Sequence, residues 1–155
     1  MKRAAKIRNS LNPKSRGRTP SNRGRILEVG DDEALREMIA TICKSRGFDV
    51  IQACCGDEAL KLYRKYRPFA LVLSDFYWYN AAGIEPPLSD TKTIRHGIQL
   101  ALAIRKLAPA QNIVIHTGAL NLLEQMPKEL DDVRILEKPF RREELESLLS
   151  GVNAL

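Results

Sequence analysis

Apolar and polar positions along the chain fall into two alternating rhythms. Residues 25–30, "RILEVG", make a short, mostly apolar run that reads as a strand. Residues 33–46 then place Leu35, Met38, Ile39, Ile42 and Cys43 at i, i+3, i+4, i+7 and i+8, the stripe of an amphipathic helix that Gly47 stops. The alternation continues. "FDVIQA" predicts strand two, and Ala59, Leu62, Tyr63 and Tyr66 mark helix two, which Pro68 ends. "ALVLS" predicts strand three. Gly97, Leu100, Ala101, Ile104 and Leu107 mark helix three, and "NIVIH" predicts strand four. A shorter helix four is expected over 119–130. "VRIL" predicts strand five, and Leu145, Leu148, Leu149 and Val152 give helix five its buried face.

Five strands alternating with five helices predict a parallel sheet covered on both faces. Right-handed crossovers make it a doubly wound (βα)5 domain. In such sheets, functional groups gather beyond the carboxyl ends of the strands, where the winding direction switches.

Composition adds a division of the chain. The whole sequence carries a net charge of +6, yet residues 1–25 hold nine Lys or Arg and no acid. That leaves 16 basic against 19 acidic residues in 26–155, a net of −3. Residues 1–24 are expected to be a basic, disordered tail, since they have little to bury against the cost of ordering. A polycation of this kind can contact nucleic acid, an acidic surface or an acidic partner. It lacks interleaved aromatics for base stacking, so nucleic acid is not the favoured partner.

No apolar run approaches the ~20 residues of a membrane span, and no apolar segment follows the basic start as in a secretory signal. The expected location is cytoplasmic. The cysteines are Cys43, Cys54 and Cys55. An odd number with two adjacent argues against a disulfide framework, and the absence of a CxxC pair argues against structural zinc. Cys43 and at least one of the other two are expected in the core.

The candidate chemistry stands at the strand ends. Strand one runs into Asp31-Asp32, strand three ends in Asp75, strand four ends in Thr117, and strand five is followed by Lys138-Pro139. On a parallel sheet these positions share one rim. Carboxylates, a hydroxyl and an ammonium then converge from distant parts of the chain. There is no GxGxxG, P-loop or GxSxG motif to support a nucleotide-binding or hydrolase reading.

The set "VGDDEALREM", Asp75 after "LVLS", Thr117 in "IVIHTGA" and Lys138 in "LEKPF" resembles the receiver domain of two-component response regulators. The resemblance covers about residues 25–152 and implies the CheY-like, flavodoxin-like strand order 2-1-3-4-5. It implies that Asp75 is a phosphoacceptor and not the nucleophile of a conventional enzyme. It further implies Mg²⁺ held by the carboxylates of Asp31 and Asp75 and the backbone carbonyl of Tyr77. Asp32 is a further metal ligand if the turn shifts. Thr117 would donate to the phosphoryl group, and Lys138, aimed inward by a cis bond to Pro139, would pair with it. The implied partners are a histidine kinase or histidine phosphotransfer protein and a downstream protein target. A homodimer through the face of helices four and five is also implied. With only "GVNAL" after helix five, a stand-alone regulator acting by binding is expected.

This sequence departs from the family at several points. Gly30 stands where receivers usually have their first acid. The stretch at about 76–96 is enlarged and carries Tyr77, Trp78 and Tyr79, which can lid the pocket, dock a partner or cover the loop's own underside. His96-Gly97 fills the slot of a usual Asp-Gly, and Ile135 that of a usual aromatic. His116 reads as a satisfied strand-end residue. Two alternatives stay open: a degenerate receiver that binds protein without phosphorylation, and a nucleic-acid-associated protein driven by the tail.

Overall fold

The computed structural model describes residues 22–78 and 94–153. Five parallel strands form one sheet in the order β2-β1-β3-β4-β5, with β1 Arg25–Val29, β2 Asp49–Ala53, β3 Leu71–Asp75, β4 Ile113–Thr117 and β5 Arg134–Glu137. Four helices cover it: α1 Glu33–Ser45, α2 Gly56–Tyr66, α3 Gly97–Leu107 and α4 Arg142–Ser150. The doubly wound fold and its strand order are as the sequence implied.

The period of two in each strand divides the core. Leu27, Val29, Val72, Ile113 and Ile115 face α2 and α3. Ile26, Leu71, Leu73 and Val114 face α1 and α4 with Ile39, Cys43, Leu145 and Leu149. Every residue of β3 and β4 is buried, as central parallel strands require. The core also takes in a carboxyl group on β1. Glu28 is 1% exposed on the α1 side of β1, where the Gln52 side chain donates to it at 3.1 Å. Burial pushes its carboxyl up to about 8, against that hydrogen bond and the nearby Arg36 charge.

Helix four is the main difference from expectation. Residues Leu120–Gln125 and Lys128–Leu130 form two 3-10 segments instead. Pro127 between them has no N–H and cannot continue a helix. The apolar stripe is also not sustained, since Leu130 is buried whereas Leu120 is 41% exposed. The α1 stripe is narrower than its spacing predicts: Ile39, Ile42 and Cys43 are buried, but Met38 is 44% exposed. Of the cysteines only Cys43 is buried; Cys54 is exposed and Cys55 half-buried.

Gly47 does terminate α1, with φ 90°, a left-handed conformation that glycine adopts without strain. The last residues assigned to the tail belong to the fold. The Arg23 guanidinium donates to the carbonyls of Leu149 and Val152 at 3.1 and 2.9 Å and lies 4.6 Å from the Phe48 ring centroid. It thus meets the carbonyl end of α4, where a cation is favoured. The expectation for residues 1–21 lies outside the described residues. No helix among the described residues is long and apolar enough to cross a membrane.

Candidate functional site

Asp75 closes β3 at the centre of the sheet and is 7% exposed. Its Oδ2 accepts from Lys138 Nζ at 2.9 Å, and its Oδ1 accepts from the backbone N–H of Phe76 at 2.8 Å. The lysine arrives from beyond β5, where the Lys138–Pro139 peptide is cis and the Lys138 N–H donates to the Thr117 carbonyl at 2.9 Å. Burial raises the Asp75 pKa; the Lys138 hydrogen bond and charge oppose it, and the nearby Asp31 carboxylate adds to the rise. The structure therefore brings three of the predicted groups together: Asp75, Lys138 and Asp31.

The β1–α1 corner is arranged differently. Asp32 is the N-cap of α1, its Oδ1 accepting from Leu35 N–H at 3.0 Å. That oxygen serves the helix. Gly30 is fixed by its N–H to the Ala53 carbonyl at 3.1 Å, and its own carbonyl accepts from Arg36 at 2.6 Å. A Cβ built on Gly30 would lie 3.7 Å from the Asp75 Cβ and 3.9 Å from its Oδ2, ordinary contact distances. A Cβ would thus fit against the carboxylate where none is present. Arg36 was not singled out in the sequence, and nothing in its spacing marks it.

Thr117 ends β4, 3% exposed, and its hydroxyl oxygen accepts from Ala119 N–H at 3.0 Å. It keeps its own proton to donate. Tyr77 forms an isolated antiparallel bridge with His96, and the Gly97 N–H donates to the Phe76 carbonyl at 2.7 Å. Gly97 is required by proximity, because a Cβ there would stand 2.8 Å from the Asp75 carbonyl oxygen. His96 caps α3, its Nδ1 accepting from Gln99 N–H at 3.3 Å.

The aromatics of the enlarged loop part company. Trp78 is buried; its Nε1 donates to the Ile94 carbonyl at 3.1 Å, and with Ile94 it packs so tightly on Gly56 that an added Cβ would be 2.5 Å from both. Tyr77 is 43% exposed, with its ring edge-on to Phe76. Trp78 therefore packs on the start of α2 and not over Asp75. Tyr79 lies outside the described residues.

His116 pairs in register with Asp75 and is 1% exposed, but it is not satisfied: both ring nitrogens lack a hydrogen-bond partner among the described residues. Burial first, then the Lys138 charge, lowers its pKa to about 3, so the ring is neutral. Ile135 is half-buried on β5, packed against the α2–α3 core.

The donors suit a hard dication. Asp31 is exposed, its charge contributes to the raised pKa of Asp75, and the Asp75 carboxylate lies open beside the side-chain-free Gly30. Mg²⁺ takes oxygen ligands and usually retains several waters.

No family model and no curated protein matches this chain. Solved structures do. The chemotaxis response regulator CheY4 of Vibrio cholerae superposes with a TM-score of 0.66 at 25% identity, covering 83% of this chain and 98% of that one. The receiver domain of the hybrid histidine kinase CckA gives 0.62 at 23% identity, covering 82% and 96%. The receiver domain of NtrX from Brucella abortus gives 0.63 at 23% identity, covering 81% and 94%. The structural neighbours of this chain are CheY-like response regulator receiver domains, and it has their fold.

Proposed function

We propose that this receiver-type chain accepts a phosphoryl group on Asp75 from a phosphohistidine partner and signals the change through a protein-binding face. The observation that carries the reading is the Asp75–Lys138 contact of 2.9 Å at the carboxyl rim, with Asp31 near enough to act on the same carboxylate.

A carboxylate oxygen of Asp75 attacks phosphorus, a P–O bond forms, and the P–N bond to the donor imidazole breaks. The product is an acyl phosphate on Asp75. Lys138 then has phosphoryl oxygens to pair with in place of a bare carboxylate. Asp31, Asp75 and the Tyr77 carbonyl would hold Mg²⁺, which supplies neutralisation of the charge on the transferring group. Asp75 is kept in place by the Phe76 N–H on its other oxygen, so its attacking geometry is set before the donor arrives.

The output follows from Thr117. Donation of its hydroxyl to the new phosphoryl group shifts an oxygen that also accepts from Ala119. Ala119 leads directly into the 3-10 segment Leu120–Gln125. A shift there changes the surface beside β5, a shift of population between two packings. Exposed Leu120 lies on that segment.

The test is intact mass after incubation with Mg²⁺ and a small phosphodonor such as acetyl phosphate. One phosphoryl mass should appear on the wild type and not on D75N. Its absence from the wild type, where a control receiver labels, would overturn the reading.

A second reading has its own observation. Gly30 replaces an acid and the Asp32 oxygen is spent on the α1 cap, which favours a receiver that binds protein without being phosphorylated. Beryllofluoride separates the two. Amide shifts at Thr117 and Lys138 support the switch; unchanged spectra support the non-phosphorylated form.

A further inference from the structure

A second cluster stands on the same rim, one strand out, where β2 turns into α2. We infer that Cys54, Cys55 and Glu58 form a site for a thiophilic divalent cation such as Zn²⁺ or Cd²⁺.

The geometry is preformed. The two sulfurs and a Glu58 carboxylate oxygen lie within 4.8 Å of one another, the one such group of three among the described residues. The Glu58 carboxylate is held in place, its Oε2 accepting from Cys54 N–H at 2.7 Å. Cys55 is the N-cap of α2 with extended backbone, φ −156° and ψ 171°, and its side chain makes no cap hydrogen bond. Its sulfur is therefore not committed to the helix. Cys54 is exposed and Cys55 half-buried, so an ion can reach the cluster from solvent. The sequence argued against zinc because it lacks a CxxC pair. Here a strand-to-helix turn does the work of that spacing, bringing i, i+1 and i+4 to one point.

Chemistry selects the ion. Two thiolates and one carboxylate favour Zn²⁺ or Cd²⁺ over Mg²⁺. Three protein ligands leave a fourth position for water or for a partner's donor. The Cys54 thiol is pushed up to about 12, first by its hydrogen bond to Glu58, then by burial and by Cys55. A dication there binds the carboxylate and two thiolates, and two thiol protons leave to solvent. The bound cluster carries one net negative charge, and the Arg36 charge already acts on Glu58.

This site is independent of the phosphoacceptor reading. The experiment is a titration of the reduced full chain with Cd²⁺ in excess Mg²⁺, followed by the ultraviolet charge-transfer absorption of cadmium thiolate. The expected result is saturation at one ion per chain, unchanged in D75N. C54S and C55S should each weaken binding at least tenfold and lose about half the absorption. E58Q should weaken binding severalfold and keep the absorption. No absorption on the wild type, or absorption that survives C54S/C55S with Cys43 in place, would overturn the site. Affinity unchanged in E58Q would overturn the three-ligand assignment.

Discussion

The rim has two halves that were built to different standards. On the β3–β5 side, Asp75 and Lys138 meet at 2.9 Å, with the carboxylate's second oxygen on the Phe76 amide. On the β1–α1 side, Gly30 offers no side chain and the Asp32 carboxylate serves as a helix cap. The difference lies in what fixes each residue. Asp75 is the last residue of a fully buried central strand, and its place follows from sheet register. Asp31 and Asp32 lie in a turn that also starts a helix, and the helix N-terminus competes for any acid nearby.

The largest effect expected is on the β3–β5 half. D75N should abolish the phosphoryl mass gain altogether. Retained labelling would move the phosphoacceptor to another residue.

Glu28 tests how far β1 tolerates acid. Its carboxyl ionises near 4.5 when exposed and near 8 in the fold. Between those values the unfolded chain releases the proton and the native chain holds it, so native stability falls as pH rises. E28Q should remove that slope and gain on the order of a few kcal/mol by pH 8, read from urea unfolding at pH 5 and pH 8. Parallel pH curves for both proteins would refute it.

K138A leaves Asp75 buried with no ammonium. We expect a loss of roughly 1–3 kcal/mol at neutral pH, shrinking in acid where Asp75 is neutral, and a further rise of the Asp75 pKa by carboxyl NMR. An Asp75 pKa that stays put would mean that the contact carries no charge interaction in solution.

G30D should bring the two halves closer to parity. A Cβ is accommodated beside Asp75, and Mg²⁺ affinity should rise about tenfold, ~1.4 kcal/mol, by fluorescence or calorimetric titration. Unaltered affinity would show that acid number does not limit the site.

D32A is the mildest. Loss of the cap should cost about 1 kcal/mol of stability with Mg²⁺ affinity unchanged. A fall in affinity would return Asp32 to the metal.

Much of this was legible in the chain because apolar runs that stop on a polar residue locate strand ends. Asp75 and Thr117 both proved to be terminal strand residues. The 3-10 segments were not legible from the apolar spacing, although Pro127 was a warning. Asp32 was ambiguous for a physical reason: a carboxylate before a helix can cap it or ligate a metal, and only the turn decides. Its signal was present, since an Asp just ahead of the first helical turn is a usual cap. The cysteine cluster needed the α2 start at Gly56, which folds Glu58 back over Cys54. His116 gave no sign that its ring would lack partners.

The clasp formed by Trp78, Ile94 and Gly56 carries its own reporter. Trp78 and Ile94 are fastened to each other and, through the Ile94 amide and Asp57 at 3.2 Å, to the start of α2. Both anchors are thus seated on α2, Trp78 and Ile94 against Gly56 and the Ile94 amide on Asp57. The indole is already in place as a built-in optical gauge of whether the clasp has held.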